Sequence, residues 1–510
     1  MKLPGKIIIT VLLCIGSIMG HSQVDTQFWF AAPDLQQAHG DRPILLRMAA
    51  SKLPATVTIS IPANPGFNPI NISIPANSSQ SVDLTAFIGL IENTLPNAVY
   101  QRGLLISSST PISCYYDIAN GFNGDMYALK GKNALGKKFT LPMQMDFNNR
   151  TALNTPYTAD FIIVATEDNT SITINPKNTL IGRAGPFTIV LNRGETYVCS
   201  AASNMGSLKP GGTIVTSNKP IAISTKDDSI ALPGQSCSDT AGDQLLPDDL
   251  AGNEFIVVKG YLNITPDHYY VYATSNATTI KINGLSVGTI NAGEFYTGKL
   301  TDISCYIESD KPTHVFHITG FGCEVGGAVI PPIRCTGSTF VDVTRATSTQ
   351  GFFLNVIAPS NIINAFKLNG SQALIDPSVF ETIPGTGGKW MASRITIPTN
   401  VADAGQTVTV ENPNGKFHVG VIHGSQSSTT RYGFFSDFSS NTIVLKNAED
   451  STKELSDTIT LCNNINAKIN ARNFSADTYR WTGPNGFTSD SSMLIINPYR
   501  AKDTGLYTIT

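Results

Sequence analysis

Residues 161–175 read FIIVATEDNTSITIN, an apolar run, a short polar turn, and then strict alternation of apolar and polar positions. The apolar run bounded by turn residues predicts one strand, and the T-x-I-x-I alternation predicts a second. The pair recurs. Its first strand returns as ILLRMAAS from Ile44, YYVYATSN from Tyr269 and FFLNVIAP from Phe352. Its second returns as TVTISI from Thr56, TTIKIN from Thr278 and, more loosely, NAFKLN from Asn364. A third strand follows, opening on a Ser/Asn/Asp-Lys-Pro-like turn: STPISCYY around Pro111, SNKPIAIS around Pro220 and SDKPTHVFH around Pro312. PNGKFHVGVIH, around Gly415, takes the same place in the fourth unit without that proline. Recurrence of this kind marks an array of similar modules. The expectation is an all-β chain of tandem β-sandwich-like repeats, with units at 23–130, 131–247, 248–332 and 333–440.

Composition agrees. Only 14% of the 510 residues are charged, and β-branched residues fill the apolar positions between Asn, Thr, Ser, Gly and Pro, which suits strands and turns better than helices. The formal charge of −3 becomes −5 if Lys2 and Lys6 leave with an N-terminal leader, too little to argue for nucleic acid or an anionic membrane as partner. That leader is expected at 1–22: a positive region, an apolar run from Ile7 to Met19, and small residues for cleavage. Cys14 follows Leu13 inside the apolar run, a poor context for lipidation. No later segment is apolar enough to span a bilayer, so the mature chain is expected to be secreted, extracellular or at the cell surface, without membrane insertion.

The leader would take one of eight cysteines, leaving Cys114, Cys199, Cys237, Cys305, Cys323, Cys335 and Cys462. There is no C-x-x-C pair and no zinc-finger spacing. Cys323 and Cys335 flank one connection and are the pair expected to bond. The connections between units are GDMYALKGKNALGKKF from Gly124, GDQLLPDDLAGNEF from Gly242 and GGAVIPPIRCTGSTF from Gly326. In each, Gly permits a turn and Gly-x-x-Phe opens the next strand, making Phe139, Phe255 and Phe340 equivalent, with Phe28 first of the set. The matched pair Gly194-Glu195-Thr196-Tyr197 and Gly293-Glu294-Phe295-Tyr296 reads as tight turns leading into strands.

FIIVATEDNTSITINP, LNRGETYVCS, TSNKPIAIS, GDQLLP and GNEFIVV, followed by YYVYATSNATTIKING, NAGEFYTGKL, IESDKP and FFLNVIAPSN, resemble the IgGFc-binding-protein N-terminal domain family over roughly residues 25 to 440. The resemblance implies an extracellular binding or adhesion role, as in bacterial surface members of that family. It does not imply antibody binding, because no residues required for that can be matched. After a polar linker at 441–457, residues 458–510 resemble an immunoglobulin-like sandwich, with Trp481 in the strand-C position and Asp503-x-Gly505-x-Tyr507 as a tyrosine corner. Ile509 stands where the partner of Cys462 belongs, and the expected sandwich is incomplete, stopping before its last strand. Domain order and composition resemble surface proteins of the Bacteroidetes group.

The search for chemistry finds little. His314 and His317, and His418 and His423, stand on equivalent strands at odd offsets, so each pair points to opposite faces. No G-x-S-x-G elbow occurs. Asp227, Asp228, Asp239, Asp243, Asp248 and Asp249 crowd what reads as a Gly/Ser-rich loop, and their hard oxygens suit Ca²⁺. The spacing matches no calcium loop, and Asp243 repeats the Gly-Asp of Asp125, which favours turn capping. No catalytic residue, metal ligand set or cofactor is therefore assigned, and the ligand-binding residues are unknown. The reading is a non-enzymatic binding protein or adhesin for a glycoprotein, polysaccharide or surface protein. The alternatives are a polysaccharide-degrading enzyme with acids in the 161–340 loops, and a spacer array presenting a further C-terminal module.

Overall fold

The computed structural model describes residues 5–9, 23–36, 40–152, 155–156, 158–334, 336–426, 428–438, 444–447, 458–461, 467–472, 480–491, 493–496 and 506–509. The chain divides into two units, Gly20–Phe438 and a second made of Met1–Met19 with Ser439–Thr510. The described secondary structure is mostly strand, and the helical turns are brief.

The larger unit repeats one pairing scheme four times. The first module contains β1 (Val24–Phe30), β2 (Ile44–Ala50), β3 (Ala55–Ser60), β4 (Ile70–Ile74), β5 (Ser78–Asp83), β6 (Leu104–Ile118) and β7 (Asp125–Ala128). The second contains β8 (Gly136–Thr140), β9 (Ala159–Ala165), β10 (Thr170–Asn175), β11 (Phe187–Leu191), β12 (Thr196–Ser200), β13 (Ile214–Ile230) and β14 (Asp239–Gln244). The third contains β15 (Gly252–Val258), β16 (Asp267–Ala273), β17 (Thr278–Ile282), β18 (Leu285–Ile290), β19 (Phe295–Leu300), β20 (Ser304–Gly322) and β21 (Glu324–Ile330). The sixth strand is the spine of each. Its first half pairs with the first and third strands, and its second half with the second and seventh. The fourth module keeps this order with β22 (Phe340–Thr344), β23 (Gly351–Pro359), β24 (Lys367–Leu368), β25 (Trp390–Thr396), a spine split into β26 (Thr407–Glu411) and β27 (His418–Ser425), and β28 (Thr429–Phe434).

The prolines expected to open a strand lie inside one. Pro111, Pro220 and Pro312 sit within β6, β13 and β20, where the pairing register slips. Proline has no N–H for the ladder, so the strand bends from one partner sheet to the next instead of ending. In the fourth module the same position has become the turn between β26 and β27.

The modules are not beads in a row. The seventh strands β7, β14, β21 and β28 pack side by side, each against its two neighbours, and β28 returns to β7. Tyr115, Met126 and Ala128 of the first module pack in the core of the fourth with Val341, Val421 and Phe435. The Tyr115 hydroxyl donates to the Thr344 carbonyl at 2.8 Å. Such close packing of strands needs small residues. A Cβ on Gly242 of β14 would lie 2.3 Å from the Tyr127 hydroxyl, and one on Gly327 of β21 would lie 2.9 Å from Ala241 Cβ. Gly242 and Gly326, read as turn residues in the connectors, are therefore strand residues at a packed centre.

The connectors carry the expected joint. Phe28, Phe139 and Phe255 are buried and Phe340 is half-buried. A Cβ on Gly136 would lie 2.2 Å from Pro247 Cβ, and one on Gly252 would lie 2.2 Å from Pro332 Cβ. Each Gly-x-x-Phe thus seats on the proline of the following connector. The matched Gly-Glu turns are also alike: Glu195 and Glu294 accept from the N–H groups of Asn192 and Asn291 at 2.7 and 2.8 Å. In the smaller unit, Val444–Asn447, Ala467–Arg472 and Met493–Ile496 form one sheet. Trp481 is fully buried and donates its indole N–H to the Ser491 carbonyl at 2.9 Å. Tyr507 is buried against Phe487, while Cys462, Asp503 and Gly505 lie outside the described residues.

Candidate functional site

The acidic segment is not one loop, and its carboxylates do not converge. Asp227 and Asp228 end the long strand β13, Asp239 and Asp243 belong to β14, and only Asp249 is exposed. Asp227 is paired with buried Lys209 at 2.6 Å and accepts from Gln144 and Asn149. Asp248 takes the Thr140 N–H at 2.7 Å and faces His314 at 3.3 Å.

The repeated Gly-Asp closes the ring. Asp125 accepts from its own neighbour Met126 at 2.8 Å and from Gly242 of β14 at 3.1 Å. Asp243 does the same one module on, accepting from Gln244 at 2.8 Å and from Val329 of β21 at 3.0 Å. Asp239 takes the Val325 N–H at 2.7 Å, and Thr429 of β28 holds both the N–H and the carbonyl of Gly124. Each carboxylate spans two strands rather than capping a turn. Burial drives Asp125 and Asp239 well above the usual carboxylate range. It also raises Asp243, although Lys130 stands 2.6 Å away and pulls the other way.

The seam between the first and fourth modules is ionic. Asp117 on β6, fully buried, accepts from Arg47 Nε at 2.6 Å and from Arg431 Nε of β28 at 2.8 Å. Burial opposes ionisation there, yet the two guanidiniums hold the Asp117 carboxyl below its ordinary value.

The histidines are interior groups. His317 lies between the Tyr432 hydroxyl at 2.8 Å and Asp267 at 3.2 Å, whereas His314 turns toward Asp248. His418 and His423 are buried, which depresses both to about 3. The disulfide differs from the expected one. Cys323, in the turn between β20 and β21, is bonded to Cys237 in the turn between β13 and β14, with Cα atoms 5.7 Å apart. Neighbouring modules place these two turns together, a proximity that 86 residues of separation conceal. Cys335 lies outside the described residues. Among the described residues, the one close triad of metal-donor side chains is Cys237, Cys323 and Glu324, and the disulfide occupies two of the three.

Among the pockets that open on this unit, one of about 500 Å³ lies between residues 146–151 and 231–235. Burial at its edge pushes Asp146 upward, but hydrogen bonds from His268 at 2.7 Å and Tyr270 at 2.9 Å hold it below the ordinary range. A smaller pocket of about 130 Å³ has Tyr261, Glu381, Ser393 and Arg394 in its wall, with Tyr261 stacked on Phe321. Another, about 240 Å³, is walled by Asp34, Asp41 and Glu92, with Arg42 and Arg102 beside them. None of these lining residues had been singled out in the sequence. The three acids are spread over residues 34–92 without a motif, and only folding brings them to one wall.

A family model for IgGFc-binding protein matches residues 125–423, more than half of the chain, and the chain belongs to that family. The match runs from β7 to β27, narrower than the expected 25 to 440. The first module shares the strand order of the others, but its strands β1 to β6 lie outside the match. No curated protein was found to match. The family is a binding family. Among the described residues no helix is long and apolar enough to cross a membrane.

Proposed function

We propose that the protein is a secreted or cell-surface, non-enzymatic binding protein that recognises an extracellular glycoprotein, polysaccharide or surface protein. The observation that carries this reading is membership of the IgGFc-binding family across residues 125–423. The chemistry of the larger unit is in keeping with it. Its central acids Asp117, Asp125, Asp239 and Asp243 hold strands together, and its open surfaces are loops and shallow pockets, where recognition is usually placed. Export through a cleaved leader at 1–22 and an immunoglobulin-like fold for 458–510 belong to the same proposal.

The test is a binding screen of the purified full chain on arrays of glycans, mucins and IgG Fc, with and without EDTA. Saturable binding to one ligand class is the expected result. A folded chain that binds nothing on any of these arrays overturns the proposal.

A further inference from the structure

We propose that the pocket walled by Asp34, Asp41 and Glu92 binds a divalent cation with hard oxygen ligands, Ca²⁺ above all. Glu92 is 2% exposed and lines the pocket, and among the described residues its Oε1 has no hydrogen-bond partner. Such an orphaned buried carboxylate oxygen carries a desolvation cost that no described residue offsets. Its other contact is with Asp34, another carboxyl group, and it also senses Asp41. The Tyr116 hydroxyl, fully buried and electrostatically coupled to the same three acids, is likewise unpartnered.

The nearby cations are already engaged. Arg42 is paired with Asp41 at 3.1 Å. Arg102 donates to the Glu92 carbonyl and lies over the Tyr100 ring. Lys226 is paired with Asp160 at 2.7 Å and donates to the Asp34 carbonyl at 2.9 Å. Asp228 stands behind, accepting from Gln36 at 3.0 Å. A pocket of about 240 Å³ holds a divalent ion with several waters.

The test is calorimetric titration of the chelator-treated full chain with CaCl₂. Binding is expected with a dissociation constant on the order of 10⁻⁴ to 10⁻³ M, as for extracellular calcium modules. Glu92→Gln and Asp34→Asn are expected to weaken it by at least about tenfold, whereas Asp249→Asn leaves it unchanged. Absence of heat and of any melting shift in the wild type at about 10 mM Ca²⁺ overturns the proposal, as does undiminished binding by both pocket variants. If neither variant folds, Asp41→Asn decides, and undiminished binding by it overturns the proposal.

Discussion

The acids at the centre of the larger unit and the acids in the Asp34 pocket are the same kind of residue in opposite circumstances. Asp125 and Asp243 are fully buried, yet each accepts two backbone N–H groups from two strands, and Asp117 sits between two guanidiniums. Glu92 is almost as buried, but faces another carboxyl and keeps one oxygen without a partner. A buried carboxylate whose lone pairs are filled by its own chain is part of the scaffold. One left unfilled beside an opening is where a ligand has something to gain.

The comparison can be broken most severely at the centre. Lys130→Met removes the buried partner of Asp243 and leaves a charge without compensation. Chemical denaturation is expected to show a loss of about 3–5 kcal/mol, the usual result of halving a buried ion pair. A loss below 1 kcal/mol would mean that Asp243 takes up a proton at no cost. Gly136→Ala forces a Cβ onto Pro247 at the first connector and is expected to cost about 1–3 kcal/mol. Gly89→Ala, where nothing lies within 4 Å, is the control expected to cost nothing measurable.

The pocket responds in the opposite sense. Glu92→Gln replaces a buried carboxyl, whose ionisation burial and Asp34 disfavour, by a neutral isostere. In calcium-free buffer at pH 8 it is expected to leave stability unchanged or raise it by up to about 1 kcal/mol, read from urea midpoints. Its pH dependence sharpens the contrast. Glu92 has a folded-state value near 9 against an ordinary 4.5, so its contribution is complete below 4.5 and is lost as pH rises through 9. His423, depressed to about 3 from 6.5, contributes above 6.5 and loses that contribution as pH falls toward 3. Wild-type stability is therefore expected to fall on both sides of mid-range pH, and Glu92→Gln to flatten the alkaline side alone. Each titrating group changes the slope by at most about 1.4 kcal/mol per pH unit.

The strands were legible because the repeat exposes them. The alternation in TSITIN and the run FIIVA place β10 and β9, and Gly-x-x-Phe predicts the buried Phe139 and Phe255. The odd offset of His314 and His317 also predicts that they diverge. Proline misled at Pro111, Pro220 and Pro312, since local chemistry says the ladder stops but not that the strand bends and continues. The Gly-Asp motif suggested a turn because its partners, such as Gly242 for Asp125, lie 117 residues away. Ring closure, the Cys237–Cys323 bond and the Asp34–Asp41–Glu92 wall are all long-range facts. No periodicity encodes which module comes back to meet the first.

That return is the centre of the account, and a double-mutant cycle across it tests it most directly. Asp117 and Arg431 are 314 residues apart in sequence and 2.8 Å apart in the closed ring. Unfolding measurements on Asp117→Asn, Arg431→Met and the double variant are predicted to give a coupling energy of about 1–3 kcal/mol. Additivity within about 0.5 kcal/mol would contradict the ring and leave the modules as independent sandwiches in a row.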